Sequence, residues 1–348
     1  MDKIIDLRSD TTTLPTKEML DAMAKAELGD DVLGEDRTTV RLQEYAAGLL
    51  GKEAALLVTS GTMGNLVAIL THTRTRRPEI IAEYRSHIMT SEGGGYAHFG
   101  GIAARPVEGL YGALDPKKVE DCIRDPENLH HPVTSLICME NTHNNAGGAA
   151  IPLDNIYAVK EVADRHKIPM HLDGARIFNA ALALGTDAKT VAAPFDSVQF
   201  CLSKGLSAPI GSLLTGSKAY IDEARHFRKM LGGGMRQCGV IAAAGMVALT
   251  TMVDRLAEDH ENAKILADGI NRIPGFRIDM NTVQTNIVRV VVEETGMEAA
   301  AHIAKLKDCG VLCAAQGKYV IRFVTHRHIS KADVLTAIDR ICGAASNP

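Results

Sequence analysis

The chain has 348 residues, 46% of them hydrophobic, which suits a globular protein with one large unit and a smaller one. Its 38 basic and 42 acidic side chains leave a formal charge of −4, so there is no basic surplus to neutralise nucleic-acid phosphates. Seven cysteines, an odd number without paired metal-type spacing, argue against a disulfide framework and for a reducing compartment. Residues Met1 to Asp10 are charged and hold no apolar signal segment, and no run is long enough to span a bilayer. A soluble cytoplasmic protein is expected.

The segment Ile4-Ile5-Asp6-Leu7 is too polar after Leu7 to continue as a strand. Thr16 is expected to cap a helix with Met19, Leu20 and Met23 on one face. Gly29-Asp30-Asp31-Val32-Leu33-Gly34-Glu35-Asp36 reads as a solvated acidic loop with helix-capping carboxylates, metal binding being the other reading of those acids. Leu42, Tyr45, Ala46 and Leu49 repeat at helical spacing, with Thr38 or Thr39 as cap. Ala54 to Val58 is a short apolar strand, and Ser60-Gly61-Thr62 then opens a helix. That arrangement suits a phosphate, because free N–H groups, the helix dipole and hydroxyls converge there.

Further strands are read at Ile80–Ala82, Leu136–Met139, Ile168–Leu172, Ser197–Leu202 and Leu213–Leu214. Helices lie between them, one capped by Asp154, so the sheet should be mainly parallel. Polar residues gather at the strand ends: His87, Glu140 to Asn145, Asp173 and Lys204. In open αβ sheets that edge binds ligands. Helices should fill residues 218 to about 272, broken at Gly232-Gly233-Gly234. Beyond Pro274, strands at Phe276–Met280, Asn286–Val292 and Tyr319–Val324 alternate with helices near Glu298–Lys307 and Lys331–Ile341. The expected division is a large unit over residues 1–250 and a small α+β unit over residues 251–348.

Lysine is strongly hydrated, so one held at the mouth of a buried strand invites a reason. Lys204 could be a surface residue, or an amine that forms a Schiff base with a carbonyl, as lysine does with pyridoxal phosphate. That cofactor also needs a carboxylate for its ring nitrogen, a phosphate cradle and a flat group on the ring face. Asp173, Ser60-Gly61-Thr62 and His87 are the respective candidates. Singly, Asp173 could be a turn former, and His87 or His143 a bonded loop histidine.

Several segments carry a more specific signal. They are Ile5-Asp6-Leu7-Arg8-Ser9-Asp10-Thr11, Gly29 to Asp36, Ser60 to Asn65, Glu140-Asn141-Thr142-His143-Asn144, and His171-Leu172-Asp173-Gly174-Ala175-Arg176. Leu202-Ser203-Lys204-Gly205-Leu206, Leu231 to Gln237, and Ile321-Arg322-Phe323-Val324-Thr325-His326 complete the set. On these the chain resembles the low-specificity L-threonine aldolases, pyridoxal-phosphate enzymes of the aspartate-aminotransferase-like fold type I. The resemblance implies cleavage of L-threonine, L-allo-threonine and other L-β-hydroxy-α-amino acids to glycine and an aldehyde. It also implies roles. Lys204 would bind the cofactor aldehyde, Asp173 its ring nitrogen, and Gly61 and Thr62 its phosphate, while His87 would stack on the ring. Ser9, Arg176 and Arg322 would hold the substrate carboxylate, Arg176 being counted with the cofactor contacts too. The general base would be His87, His143 or a bound water, and no residue is assigned as a metal ligand.

The resemblance further implies a homotetramer, with Arg236 reaching a neighbour's site. Two departures stand out: Leu33 where many members carry tyrosine, and Arg37 where proline is usual. Two other readings are kept. One is a different pyridoxal enzyme of the same fold, a β-eliminating lyase or aminotransferase. The other is a non-catalytic αβ binding or scaffold protein.

Overall fold

The computed structural model describes residues 3–346. In chain order its strands are β1 (Ile5–Asp6), β2 (Ala54–Val58), β3 (Pro78–Glu83), β4 (Ala103–Val107), β5 (Val133–Glu140) and β6 (Met170–Asp173). They continue with β7 (Ser197–Cys201), β8 (Ser212–Gly216), β9 (Ile287–Val291), β10 (Val311–Leu312), β11 (Ala314–Gly317) and β12 (Val320–Val324). Seven of them form one sheet in the order β2-β8-β7-β6-β5-β3-β4. Within it β8 runs antiparallel to both neighbours, and all other neighbours pair parallel. The carboxyl ends of β2, β3, β5, β6 and β7 therefore open at one edge.

The alternation within each strand explains its apolar run. Ile81, Ile137, Met139 and Leu57 face one core, while Ile80, Ala82, Leu136, Cys138, Leu56 and Val58 face layers on the other side. A sheet covered by helices on both faces needs both sets apolar. The helix Gly61–His72 covers the second face through Val67, Ala68, Ile69 and Leu70.

A second core gathers the antiparallel sheet β11-β12-β9 with the helices Ala299–Asp308 and Lys331–Ser346 and the end of the helix Leu256–Ile270. Ile5 and Leu7 belong to this core, and Val324 N–H donates to the Leu7 carbonyl at 2.8 Å. Three residues later Asp10 is buried against the main body, where Arg176 grips its carboxylate. The stretch 5–10 thus stitches the two cores together beside the sheet edge.

Four local expectations need correcting. Asp36, not Thr38 or Thr39, caps the helix Arg37–Leu49: its carboxylate accepts the Thr39 N–H at 2.9 Å and the Gly239 N–H at 2.9 Å. Asp154 lies inside the first turn of the helix Leu153–Arg165, which Pro152 leads into with φ −60°. Phe276–Met280 is not a strand; only Arg277 makes an isolated bridge, to Val291. Finally, the acidic loop is not wholly solvated, because Asp31 is buried and paired with Arg228 at 2.6 Å. The Thr16 cap is present, with the Met19 N–H donating to Thr16 Oγ1 at 3.2 Å.

Candidate active site

A cavity of about 240 Å³ opens at the carboxyl ends of the strands, lined among others by Gly61, Thr62, His87, Asp173 and Lys204. The segments after β2, β3, β6 and β7 thus meet in one place, whereas residues Glu140 to Asn145 after β5 do not line this cavity.

Lys204 follows β7 in a tight turn. Its carbonyl accepts the Ser207 N–H at 2.8 Å and the Thr13 hydroxyl at 2.9 Å. Ser207 holds φ +65°, a left-handed conformation uncommon for a side chain with a Cβ. The turn leaves Lys204 half-buried, with its charge acting on the carboxylates of both Asp173 and Asp10.

Asp173 ends β6 and is buried. Oδ1 accepts from Gln199 Nε2 at 3.0 Å and from the Ala175 N–H at 3.1 Å; Oδ2 accepts from Asn65 Nδ2 at 2.9 Å. Burial alone would raise its pKa, but Lys204, His87 and the two amide donors outweigh burial and hold it below the ordinary carboxylate value. Close packing supports this arrangement. A Cβ on Gly64 would lie 2.5 Å from Gln199 Cγ, and one on Gly61 would lie 2.8 Å from Cys201 Sγ, so both positions require glycine.

The helix Gly61–His72 starts at the cavity. Ser60 caps it by accepting the Met63 N–H at 3.1 Å, which leaves the first-turn N–H groups of Gly61 and Thr62 outside the helical ladder. His87 begins the short helix His87–Thr90. Its N–H donates to Glu140 Oε2 at 2.6 Å, and its Nδ1 lies 2.7 Å from Glu92 Oε1. The Glu92 hydrogen bond raises the His87 pKa against the opposing effect of burial, helped by the charges of Asp173 and Glu140. Ligand atoms of His87, Glu92 and Asp173 lie within 4.8 Å of one another. Asn65 Nδ2 sits between the two carboxylates and donates to both, at 2.8 Å to Glu92 and 2.9 Å to Asp173.

Arg176, Arg322 and Ser9 do not line this cavity; they lie beside it, linked through Asp10, whose carboxylate also feels the Lys204 charge. Arg176 is buried and bonds Asp10 through two 2.7 Å contacts. Arg322, in β12, donates to Asn144 Oδ1 at 3.0 Å and to the Arg8 carbonyl at 3.2 Å. Burial and the neighbouring Arg176 charge lower the Arg322 pKa, with Asp10 opposing. Ser9 caps the turn Asp10–Thr12, its Oγ accepting the Thr11 N–H at 3.2 Å. Asp10 answers Arg176, with the Glu140 charge adding to it, whereas Arg322 donates only to an amide oxygen and a backbone carbonyl, which suits it to an incoming anion.

His143 is placed elsewhere. It is buried with Nε2 3.0 Å from Glu83, it does not line the cavity, and Gly112 packs so tightly on its ring that a Cβ there would come within 2.4 Å. Burial would lower its pKa, but Glu140 and Glu83 raise it overall. Arg236 lies in an exposed loop, paired with Asp30 at 2.9 Å.

Residue-by-residue reading of the sequence gives no site role to Asn65, Glu92, Gln199 and Asp10, and takes Glu140 only as part of a polar strand end. Asn65 and Asp10 lie within the quoted motifs, but nothing in their spacing singles them out. Glu140 is the joint between two groups, accepting the His87 N–H through one oxygen and the Asn144 N–H through the other, at 2.6 and 2.7 Å.

Comparison with known proteins follows this geometry. Residues 6–294 match the beta-eliminating lyase family model. The chain is 44% identical over 333 residues to low-specificity L-threonine aldolase 1 of Arabidopsis thaliana, covering 95% of this chain and 93% of that one. It is 42% identical over 329 residues to the low specificity L-threonine aldolase of Escherichia coli K12, covering 94% and 95%. The chain belongs to the low-specificity L-threonine aldolases, within the beta-eliminating lyase family. Its fold is also that of Leishmania major threonine aldolase (TM-score 0.83, 18% identity, 98% of this chain and 100% of that one) and of Sphingomonas wittichii serine palmitoyltransferase (0.79, 17%, 98% and 87%). For an L-threonine aldolase the arrangement is coherent: a carboxylate at the floor, an amine at the mouth, and Arg322 on the rim.

Proposed function

We propose that this chain cleaves L-threonine, L-allo-threonine and related L-β-hydroxy-α-amino acids to glycine and an aldehyde, using pyridoxal 5′-phosphate. The observation that carries the reading is the opposition within one site of an ionised, buried Asp173 and a half-buried Lys204, flanked by a helix start and by two arginines. The residues fit the cofactor. Asp173 would hold the ring-nitrogen proton, Gly61 and Thr62 the phosphate, Lys204 the aldehyde carbon, and the His87 ring would cover one face. The bound cofactor supplies the electron sink for the breaking Cα–Cβ bond.

The chain's own residues then do three things. Arg322 and Ser9, with the Arg176–Asp10 pair behind them, would fix the substrate carboxylate and so orient the bonds at Cα. Asp173 keeps its charge and therefore keeps the proton on the ring nitrogen. His87 takes the β-hydroxyl proton at its ring, directly or through one water, with Glu92 stabilising the protonated imidazole. His143, tied to Glu83 away from the cavity, orients the loop that presents Asn144 to Arg322.

We also assign Arg236 and the surface around it to contact with a second copy in a homotetramer. Val32, Leu33 and Met230 are exposed, on the loop that carries its partner Asp30 and on the preceding helix. Sedimentation of the purified protein tests this. Among the described residues no single helix is long and apolar enough to cross a membrane, and a cytoplasmic location is our reading. We divide the chain into residues 1–250 as the cofactor unit and 251–348 as the small unit; Ile5 and Leu7 pack in the small unit's core and Leu256 in the large one's.

The deciding experiment is aldehyde release from the four threonine stereoisomers with pyridoxal phosphate present. Release from L-threonine and L-allo-threonine, and from neither D isomer, is expected. A yellow protein that releases aldehyde from none of them would discard the aldolase and turn attention to elimination or transamination.

A further inference from the structure

Behind Asp173 runs a buried polar chain that no step above uses. It starts at His72, in the last turn of the helix Gly61–His72, whose Nε2 lies 2.8 Å from Ser197 Oγ. Ser197 Oγ lies 2.9 Å from His171 Nδ1, and His171 Nε2 lies 3.1 Å from Asn65 Oδ1. Asn65 Nδ2 then reaches Asp173 and Glu92. Asn65, His171, Asp173 and Ser197 are all buried, so each polar atom must find its partner inside the protein.

Donor and acceptor accounting fixes the direction of every bond. Asp173 is ionised and accepts only, so the Asn65 amide must turn its N–H groups toward it and its oxygen toward His171. His171 Nε2 must therefore carry a hydrogen. Burial depresses the His171 pKa to about 3 and the His72 pKa to about 4, so both rings are neutral. A neutral His171 protonated at Nε2 accepts at Nδ1, so the Ser197 hydroxyl donates to it and in turn accepts from His72 Nε2–H. All the hydrogens point the same way, toward the site floor.

We propose that His171, held by Ser197 and His72, is a positioning residue that locks the Asn65 amide with both N–H bonds on Asp173 and Glu92, and so keeps Asp173 a charged acceptor for a protonated ring nitrogen. This rests on the functional reading above only in its last clause. Without His171, the Asn65 amide has no donor for its oxygen and can rotate it toward Asp173. That replaces a hydrogen bond with a repulsion between two acceptors.

The test has two arms. In holoenzyme labelled with 15N-histidine, the ring nitrogen shifts of His171 and His72 should report the neutral Nε2–H form, unchanged between pH 6 and pH 8. An Nδ1–H form for His171 overturns the proposal whether or not the cofactor is bound, because the amide is then not oriented as argued. In the second arm, His171→Leu should weaken pyridoxal phosphate binding about tenfold, the scale of one hydrogen bond to a charged group. It should lower kcat while leaving KM for L-threonine within about twofold, since the carboxylate grip lies on the other side of the site. His171→Gln can place its amide N–H near the position of Nε2 and should restore most of both. If His171→Leu does not fold, Ser197→Ala carries the test, with a smaller loss in the same two quantities and a mixed His171 tautomer. Wild-type cofactor affinity and kcat in His171→Leu, or in Ser197→Ala where the former does not fold, would sink the proposal. A wild-type protein that binds no pyridoxal phosphate would instead remove the functional reading, with the tautomer result still deciding the orientation of Asn65.

Discussion

The floor and the rim of the site are built differently. On the floor, Asp173 is 3% exposed and accepts from three donors, two of which are side-chain amides packed within the core. On the rim, Arg322 is half-buried and donates to one asparagine oxygen and one backbone carbonyl, leaving guanidinium N–H groups available to a ligand. The floor comes from the seven-stranded sheet. The rim is assembled from β12, the chain after β1 and the loop after β5. A cofactor that stays through many turnovers suits a saturated, rigid acceptor. A carboxylate that enters and leaves at each turnover suits a cation with bonding capacity in reserve. The difference predicts that floor substitutions act on chemistry and rim substitutions on substrate affinity.

The strongest way to break the comparison is at the floor and mouth. Lys204→Ala is expected to abolish turnover, measured as acetaldehyde from L-threonine; substantial remaining activity removes the role assigned to Lys204. Asp173→Asn keeps the shape and removes the charge. It should cost kcat about a hundredfold or more, the scale of a lost electrostatic partner in a dry site, with KM changed far less. A rise in KM at constant kcat would reverse the division of labour.

Between floor and rim lies the buried Arg176–Asp10 pair. Breaking such a pair leaves one charge uncompensated and costs about 3–5 kcal/mol. Asp10→Asn is expected to lose stability on that scale at pH 7. Burial opposes ionisation of Asp10, but Arg176 holds its pKa well below the ordinary value. A depressed carboxylate contributes stability that is present above its unfolded pKa and lost as pH falls through its folded pKa. The stability gap between wild type and Asp10→Asn should therefore be full at neutral pH and should narrow on strong acidification. Denaturant unfolding at several pH values reads it, and a gap that widened in acid would contradict the assignment.

Much of this architecture was legible in the chain. The apolar runs of β2, β3, β5, β6 and β7 are buried on both faces, so they showed as continuous hydrophobic segments ending in polar motifs. Strand β4, Ala-Ala-Arg-Pro-Val, escaped notice because it lies at a sheet edge, where an arginine and a proline are tolerated. The buried amides escaped for another reason. Asn65 meets Asp173 and His171 across separations of 108 and 106 residues. An uncharged amide carries no periodic or motif signal of its own, and only the tertiary fold gives it partners. Asp36 displaced the expected threonine caps because its carboxylate also answers Gly29 and Gly239, again a tertiary demand.

The smallest expected effects belong to the rim, where the comparison can be sharpened most finely. Arg322→Lys keeps the charge and loses the planar fork, so two parallel bonds to a carboxylate become one. KM for L-threonine should rise about tenfold, the scale of one hydrogen bond to a charged group, with kcat reduced less. Asn144→Ala removes the oxygen that aims Arg322 but leaves the Arg8 carbonyl in place. Its effect should have the same sign and be smaller, a rise in KM of about threefold to fivefold on the scale of a neutral hydrogen bond. The order of the two matters more than either size. If Asn144→Ala exceeded Arg322→Lys, the asparagine would itself be meeting the substrate. The rim would then have two ligand contacts where the geometry gives one contact and its support.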